Sequence, residues 1–434
     1  MSWNDPVLNT KTIDRHIVQM RQGGYAVIFR KFKVALGRLH WLPLYLLAIP
    51  AVVFIRLIRP WFLVRCEPLR SARLGHFTSN TEFYLCERDA GINVPEQRHV
   101  DLFFMDAICN QQLAKMWRRV LRIWPAWILL PIYKINRLIP GGAVHEISNY
   151  RYCDRDMHNF VDRFPPHLSF SAEEETFGQA GLRQMGLPVD SPFVCLNIRD
   201  SAYMSTRMSL VDWSYHDYRD SDIQNYVLAA EELAERGYFV IRMGAKVHES
   251  IKSSHPRVID YATNGMRSDF MDIYLGAKCE FCISVESGFD GVPLIFRRPI
   301  ACVNVVPLGF LYTYSAHFIA IPKHHFSMQK NRELTLREIF TEGGGFCLRS
   351  SDFDEQGIQL IENTPEEIRD VAVEVCERLK GIWQVHEGDD EMQACFREVF
   401  LTEGSSRYKA RSLHGEIRSR IGTAFVRNNP SWLQ

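Results

Sequence analysis

From residue 193 onward, short apolar runs alternate with amphipathic ones. The runs opening at FVCLN (193–197), and YFVIRMG (238–244), RVIDYA (257–262), EFCISV (280–285) and IACVNVV (300–306), are apolar at nearly every position. Runs of that length with no polar alternation predict strands buried on both faces, as in a parallel sheet covered by helices. Between them the period changes. Ser221 is placed to N-cap a helix from Asp222 to Arg236, which Gly237 stops. DFMDIYLGAKC and FDGVPLIFRR read as two further helices. Farther on, Thr364-Pro365-Glu366-Glu367 is a capping box with proline at the first helical position. Ile368, Val371, Ala372, Val375 and Leu379 then fall on one apolar face.

The first half is less regular. EFYLCE (82–87) and HVDLFFM (99–105) have the composition of strands, and residues 70 to about 180 are expected to form an α/β unit of their own. The stretch 173–193, a short helix followed by Gly186, Pro188 and Pro192, reads as a passage between domains. The Gly343-Gly344-Gly345 triplet reads as a flexible loop, and the polar, basic tail after Leu401 as a segment that frays.

Two apolar stretches raise a membrane question. Trp41 to Ile55 carries no charge, and Arg56, Arg59 and Arg65 follow at once. A spanning helix needs ~20 apolar residues. Pro43, Pro50 and Pro60 also interrupt the stretch, and no small-residue cleavage site marks a signal peptide. It suits a helix lying in the membrane interface, a buried domain helix, or a span. The stretch 115–142 alternates Arg and Lys with Trp, Ile and Leu, and suits either an amphipathic membrane-facing pair of helices or a core helix with solvated arginines.

The chain has 434 residues, enough for two domains. Lys+Arg and Asp+Glu are both 51, so no net charge calls for a polyanion partner, and nucleic-acid binding finds no support. The charge is unevenly placed, basic from Arg15 to Arg73 and acidic from Asp352 to Glu391. The 11 cysteines are scattered, and the lone Cys279-Cys282 pair, without a second ligand pair, reads as reduced core thiols. No G-x-G-x-x-G follows a strand with an acid ~20 residues on, which argues against a dehydrogenase.

The chemistry gathers at strand ends. In an open parallel sheet, ligands bind beyond the carboxyl ends of the strands. Ser287-Gly288 stands at one such end, where a bare backbone and a helix start admit a phosphate closely, and Glu286 beside it can accept from sugar hydroxyls. Arg242, Gly244 and Lys246 end a second strand, and Arg199 and Asp200 a third. DWSYHDYRDSDIQNY (212–226) adds Tyr215, His216, Tyr218, Arg219 and Asp222 as groups able to meet a hydroxyl-rich ligand. Gly75-His76 reads as a loop.

RLGHFTSNTEFYL, LIPGG, CLNIRDSAYM, YHDYRDSDIQNY, VIRMG, SVESGFDGVPLIFRRPIACVN and LTLREIF, in this order over roughly residues 70 to 385, together resemble a family of bacterial proteins assigned as glycosyltransferases and associated with surface-carbohydrate gene clusters. The resemblance implies a GT-B-like α/β fold: two Rossmann-type domains facing across a cleft, here behind an N-terminal apolar helical extension. The expected division is residues 1–69 as the possibly membrane-associated helical segment, 70–185 as the acceptor-side domain, 186–400 as the donor-binding domain and 401–434 as the tail. The implied reaction moves a sugar from a nucleotide-sugar donor to a hydroxyl of a surface polysaccharide or glycolipid. The donor is expected at Arg199, Arg242, Gly244, Lys246, Glu286, Ser287 and Gly288, and the acceptor at Arg73, Gly75, Tyr218, Arg219 and Asp222. His76 is the first choice for the base and Asp200 the second.

No cofactor or metal is expected, because in that fold helix N-termini and basic residues hold the diphosphate. Asp154-Arg155-Asp156 and Asp220-Ser221-Asp222 do spell Asp-X-Asp, but neither clearly ends an apolar strand. The expected setting is cytoplasmic, at the inner face of the inner membrane. A non-catalytic membrane-associated binding or assembly protein and a sugar-nucleotide epimerase remain as alternatives.

Overall fold

The computed structural model describes residues 41–147, 155–200, 214–404 and 414–434. In chain order it begins with helix α1 (Leu42–Leu57), strand β1 (Leu63–Pro68), helix α2 (Leu74–Asp89), strand β2 (His99–Phe104) and helices α3 (Gln111–Val120), α4 (Ala126–Leu138) and α5 (Ala172–Gln184). The main sheet uses β3 (Phe193–Asn197), β4 (Phe239–Met243), β5 (Val258–Asp260), β6 (Cys282–Ser284), β7 (Ile300–Val305), β8 (Phe318–Pro322) and, from the last part of the chain, a two-residue strand at Arg420–Ile421. The chain is mixed α/β with a large parallel sheet, as the apolar runs predict.

Contacts divide the chain into two compact units. The smaller takes residues 1–68, 95–104 and 124–146, and the larger takes the rest. The contacts divide at 68/69, one residue from the expected 69/70, but not at the expected 185/186 or 400/401. α2, α3 and α5 belong to the large unit, and so does the tail, whose strand at Arg420–Ile421 pairs with Ile319–Ala320 of β8.

In the small unit β1 and β2 pair in parallel, from Leu63–His99 to Pro68–Phe104. Cys66, Phe104, Leu129, Leu130 and Tyr133 form its core, with Trp41 packed against it. Arg56, near the end of α1, donates to the Asn136, Ile139 and Pro140 carbonyls at the end of α4. Those carbonyls are the ones a helix leaves without internal partners, so the guanidinium closes α4 and ties it to α1.

In the large unit every pairing of the seven-stranded sheet is parallel, and β3 has β4 on one side and β6 on the other. From β3 the chain runs outward to β4 and β5. Helix α6 (Val227–Glu235) joins β3 to β4; the chain returns from β5 through helix α7 (Asp269–Lys278) to β6, then continues through the short helix α8 (Gly291–Ile295) to β7 and β8 on the opposite side. The sheet thus reverses direction between β3 and β6, the point at which the two loops leaving a parallel sheet part and open a crevice. A second, antiparallel sheet is built from His324–Ser327, Arg332–Glu333 and Ile358–Ile361.

Several local expectations change. EFYLCE is the middle of α2, not a strand; every position from Phe77 to Glu87 except Ser79 is buried, including Thr78, Asn80, Thr81 and Glu82. A helix packed on most of its circumference shows no single polar stripe, so its short apolar core imitates a strand. The stretch 173–193 is no linker. Ser171 and Glu174 form a capping box that opens α5, and Gly178 and Gly181 of α5 let it rest on Tyr274 and Met271 of α7. Gly344 and Gly345 are buried in a tight turn against Ile358 and Phe340. The N-cap before α6 is Asp222, whose carboxylate accepts from Gln224 N at 2.8 Å, rather than Ser221. The Thr364 capping box and the buried Ile368, Val371, Ala372 and Val375 are as expected, whereas Leu379 is exposed.

Candidate functional site

The loop leaving β6 stands on a buried polar knot. The Asp290 carboxylate accepts from Ser287 N at 2.7 Å and from the Ser284 hydroxyl. Asn197, the last residue of β3, donates through Nδ2 to Ser287 Oγ at 2.6 Å and to Ser284 Oγ at 3.1 Å. Ser287 Oγ accepts in turn from Phe289 N, so serine and aspartate cap the turn reciprocally. The knot couples the ends of β3 and β6 across the reversal point. Burial pushes the Asp290 carboxyl up to about 6, against the pull of its hydrogen bonds and of Arg219.

Glu286, directly before this turn, has φ of 54°, a left-handed backbone that a glutamate rarely adopts. Two contacts hold it there: Oε1 accepts from Tyr312 N at 3.0 Å, and its carbonyl accepts from the Arg219 guanidinium. Burial pushes its carboxyl up to about 7, while Arg155, the Tyr312 N–H and Arg219 pull it back.

Gly75 and Gly288 meet backbone to backbone. A Cβ on Gly75 would lie 3.0 Å from Gly288 Cα, and a Cβ on Gly288 3.3 Å from Gly75 N. One turn on, a Cβ on Gly291 would lie 1.9 Å from Thr78 Oγ1. The start of α2 is thereby seated on the β6 loop. Gly75 and His76 lie in the first turn of that helix, not in a loop, and no side chain caps it. His76 Nδ1 is 3.1 Å from Asn80 Oδ1. Donation from Nδ1 to that oxygen leaves Nε2 as the basic nitrogen of His76.

Beside this loop the charges of four arginines from four segments act on His216. They are Arg73 before α2, Arg199 after β3, Arg219 in the connection to β4, and Arg349 at the start of the short helix Ser350–Glu355. Burial first, and then these four charges, push the His216 pKa down to about 4, so the ring is neutral at neutral pH. Among the described residues only Arg199 of the four has an ion-pair partner, Asp220 at 3.1 Å. The Nε of Arg219 is buried with no acceptor among the described residues. Tyr215 lies against His216 at 4.1 Å between ring centroids, and the Arg349 guanidinium stands over the Tyr215 ring at 6.0 Å.

A recess of about 280 Å³ opens on the other side of the Arg199–Asp220 pair, at the ends of β3 and β4. Asp200, Asp220, Asp222 and Glu249 bring carboxylates to it, and Arg242 and His248 complete its polar lining. Arg242 is only 2% exposed; it reaches Asp260 at 3.3 Å, and its Nε has no acceptor among the described residues. Asp200 accepts from His248 N at 3.0 Å. A larger recess of about 360 Å³, by Ala316, Arg397 and Arg418, lies away from these strand ends.

The structure therefore gathers most of the expected residues, in a different partition. Ser287, Gly288, Gly75 and His76 share one corner, and Arg73, Arg199 and Arg219 share the arginine cluster. Arg242, Asp200 and Asp222 line the acidic recess instead of joining the other arginines. Lys246 is exposed in the loop after β4, and Gly244 (φ 157°) sits where a Cβ would press on Val247. Tyr218 is buried, with its ring 5.3 Å from that of Phe353. Arg349 escaped the sequence reading, because nothing in LRSSDF ties it to residues more than a hundred positions earlier.

The two Asp-X-Asp matches are otherwise engaged. Asp156 is buried and accepts from Val161 N at 2.7 Å, while Asp154 lies outside the described residues. Asp220 holds Arg199, and Asp222 caps Gln224. Elsewhere, Glu82, Cys86 and His167 bring three potential ligand atoms within 4.8 Å, but the Arg297 guanidinium already sits 2.5 Å from Glu82 and 3.7 Å from Cys86. Its charge supplies the cation there.

No protein-family model and no curated protein matches the chain. Among solved structures it is similar to the ADP-heptose LPS heptosyltransferase II of E. coli, at 14% identity and TM-score 0.38, over 59% of this chain and 90% of that one. It is also similar to a glycosyl transferase of family 9 from Veillonella parvula, at 14% identity and TM-score 0.39, over 60% and 86%. A third is the E. coli heptosyltransferase WaaC with ADP-2-deoxy-2-fluoro heptose, at 11% identity and TM-score 0.28, over 59% and 93%. The functional reading below rests on the residues of the site.

Proposed function

We propose that the protein is a metal-independent glycosyltransferase of GT-B plan, which moves a sugar from a nucleotide-sugar to a hydroxyl of a surface polysaccharide or glycolipid presented at a membrane. The observation that carries the reading is the set of four arginines around a neutral histidine at the reversal point of a parallel sheet. Among the described residues a single ion pair, Arg199–Asp220, engages this set, and the buried Glu286 and Asp290 carboxyls near Arg219 are held toward their neutral forms, which suits the site to a dianionic group. A diphosphate also gains from the bare Ser287-Gly288 backbone beside it.

In this reading the diphosphate lies against Arg73, Arg199, Arg219 and Arg349, and Arg219 places the Glu286 peptide under it. The acidic recess takes the hydroxyl-bearing part of the donor, with Asp200 and Asp222 accepting and Arg242 Nε donating. When the glycosidic bond to the diphosphate breaks, negative charge grows on the departing phosphate oxygen, and fixed guanidinium groups stabilise it there. His76 Nε2 takes the acceptor proton; Asp200 is the second choice. Metal independence fits the engagement of Asp220 and Asp222 elsewhere, since arginines supply the positive charge.

The test is thermal stabilisation by a panel of nucleoside diphosphates and nucleotide-sugars, with and without EDTA, for the wild type and Arg219→Ala. A ligand at 100-fold its Kd stabilises by about 2.7 kcal/mol, an easily seen shift in Tm. The expected result is a shift with one nucleotide family that EDTA leaves intact and the substitution abolishes. A shift that requires a divalent cation, or no shift with any nucleotide, overturns the reading.

A further inference from the structure

More than half of the exposed large apolar side chains of the described chain lie in the small unit, which holds only a minor share of the residues. They fall on two helices. α1 carries no charge between Trp41 and Ile55 and buries only Ala48 and Val52. Leu42, Leu46, Ile49, Val53, Phe54 and Leu57 are exposed at spacings of three and four, so they form one face opposite the buried pair. The exposure is large, 69% at Leu47 and 67% at Leu57, and it continues beyond the helix to Trp61 at 75%. In α4 and its approach, Trp124, Trp127 and Leu138 are exposed as well. The Arg56 bonds to the end of α4 and the Lys134 ammonium over the Tyr45 ring hold the two helices side by side.

We infer that this face is a docking surface for the interface of an anionic phospholipid bilayer, with α1 lying in the plane of the membrane. Three observations favour lipid over another protein. Apart from Tyr45 and the terminal Arg56, both turned to α4, α1 is apolar around its circumference, with no charged group in its middle to set a register with a protein partner. Its 16 residues are ~24 Å long, short of a ~30 Å hydrocarbon core, and no described helix is long and apolar enough to cross. The charge at its borders is basic. Arg59, Lys134 and Arg137 flank the face in the small unit, and the sequence before it holds Lys11, Arg15, Arg21, Arg30, Lys31, Lys33 and Arg38 against Asp5 and Asp14. Tryptophan and basic side chains at the rim of an apolar helix are what the headgroup region accepts best.

The inference deepens the membrane part of the proposed function. It is independent of the nucleotide site, so its test uses no nucleotide and measures no transfer. The full chain is floated with vesicles of phosphatidylglycerol and phosphatidylethanolamine, or of phosphatidylcholine alone. The wild type is expected to float with the anionic vesicles and far less with the neutral ones. Phe54→Glu together with Leu57→Glu is expected to lower the bound fraction about ten-fold. Phe177→Glu, an equally exposed apolar position in the large unit, should change nothing. Both positions of the double variant are exposed, so its circular dichroism melt should match the wild type. A milder variant, Leu47→Ser, guards against misfolding and should show a smaller loss. Arg59→Gln with Lys134→Gln should erase the preference for anionic lipid. Wild type that floats with neither vesicle, or a double variant that floats like the wild type, overturns the inference. So does a wild-type dimer in solution that Phe54→Glu converts to a monomer, for the face would then join two copies of this chain.

Discussion

The acidic recess at the ends of β3 and β4 and the arginine cluster beside it are two polar regions of opposite electrostatics. One gathers four arginines about His216; the other gathers four carboxylates about Arg242. The seam is a single pair, Arg199 and Asp220, and the residue after Arg199 is Asp200, which serves the acidic side. Arg199 pairs with Asp220 while the next residue, Asp200, lines the recess, so a two-residue Arg-Asp step just past β3 serves both regions. The comparison teaches that the buried arginine and the clustered arginines do different work. Arg242 has Asp260 beside it and carboxylates around it, and offers one directed N–H. The cluster offers charge with almost nothing to neutralise it.

The partition can be broken by ligands that carry only half of a nucleotide. The largest effect should come from Arg219→Ala, which removes a charge and lets go of the Glu286 carbonyl. Binding of inorganic pyrophosphate and of the nucleotide should both fall by about 100-fold, since charge-assisted hydrogen bonds contribute about 1.5–3 kcal/mol each. Calorimetry measures this, and unchanged pyrophosphate affinity would dissolve the arginine site. Next, Asp200→Asn and Asp222→Asn should each weaken the nucleotide by about ten-fold, a hydrogen bond's worth, and leave pyrophosphate untouched. Equal loss for both ligands would mean that the two regions are one. Arg349→Ala, at the solvent edge, should cost only about three- to ten-fold, with a shallower dependence on salt.

The smallest effects are those of protons, and they carry signs. His216 is held down to about 4 by burial and the arginines, so an anion bound among them must raise its pKa. NMR titration of the ring with and without pyrophosphate reads this directly; a pKa that does not move would place the anion elsewhere. Glu286 runs the other way. Its pKa in the fold is raised to about 7 from an ordinary 4.5, so ionising it costs stability as pH rises through that range, and nothing is lost where both states are protonated. Glu286→Gln, which keeps an acceptor for Tyr312 N, should therefore melt higher than wild type at about pH 8 and equally below about pH 4. A lower melting point at the alkaline end would show that the carboxylate is stabilised in the fold after all.

How far these features were legible depends on what each one rests on. β3, β4, β6 and β7 could be read because strands buried on both faces write themselves as unbroken apolar runs. The Ser287-Gly288 loop could be read because a turn needing bare backbone at a strand end has few alternatives. α2 could not: Thr78, Asn80, Thr81 and Glu82 are buried by partners from distant segments, such as Arg297 and His167 on Glu82, so the polar pattern misled. The strand at Arg420–Ile421 could not, because two residues show no period and their place is set by β8, about a hundred positions earlier. Arg349 was hidden for the same reason. Local pattern reports burial, and the site's charges are assembled by topology.

The reversal between β3 and β6 has a further consequence, for the way the sheet assembles. Asn197 and Ser284 hydrogen-bond across 87 positions of chain, and no hairpin can bring them together early. The central pairing must close a long loop before it gains anything, which is the regime of high contact order and slow folding. Until β6 arrives, β3 presents a bare apolar edge on that side, open to pairing with another molecule. Refolding yield should therefore fall steeply with protein concentration, even under conditions where the folded protein remains monomeric.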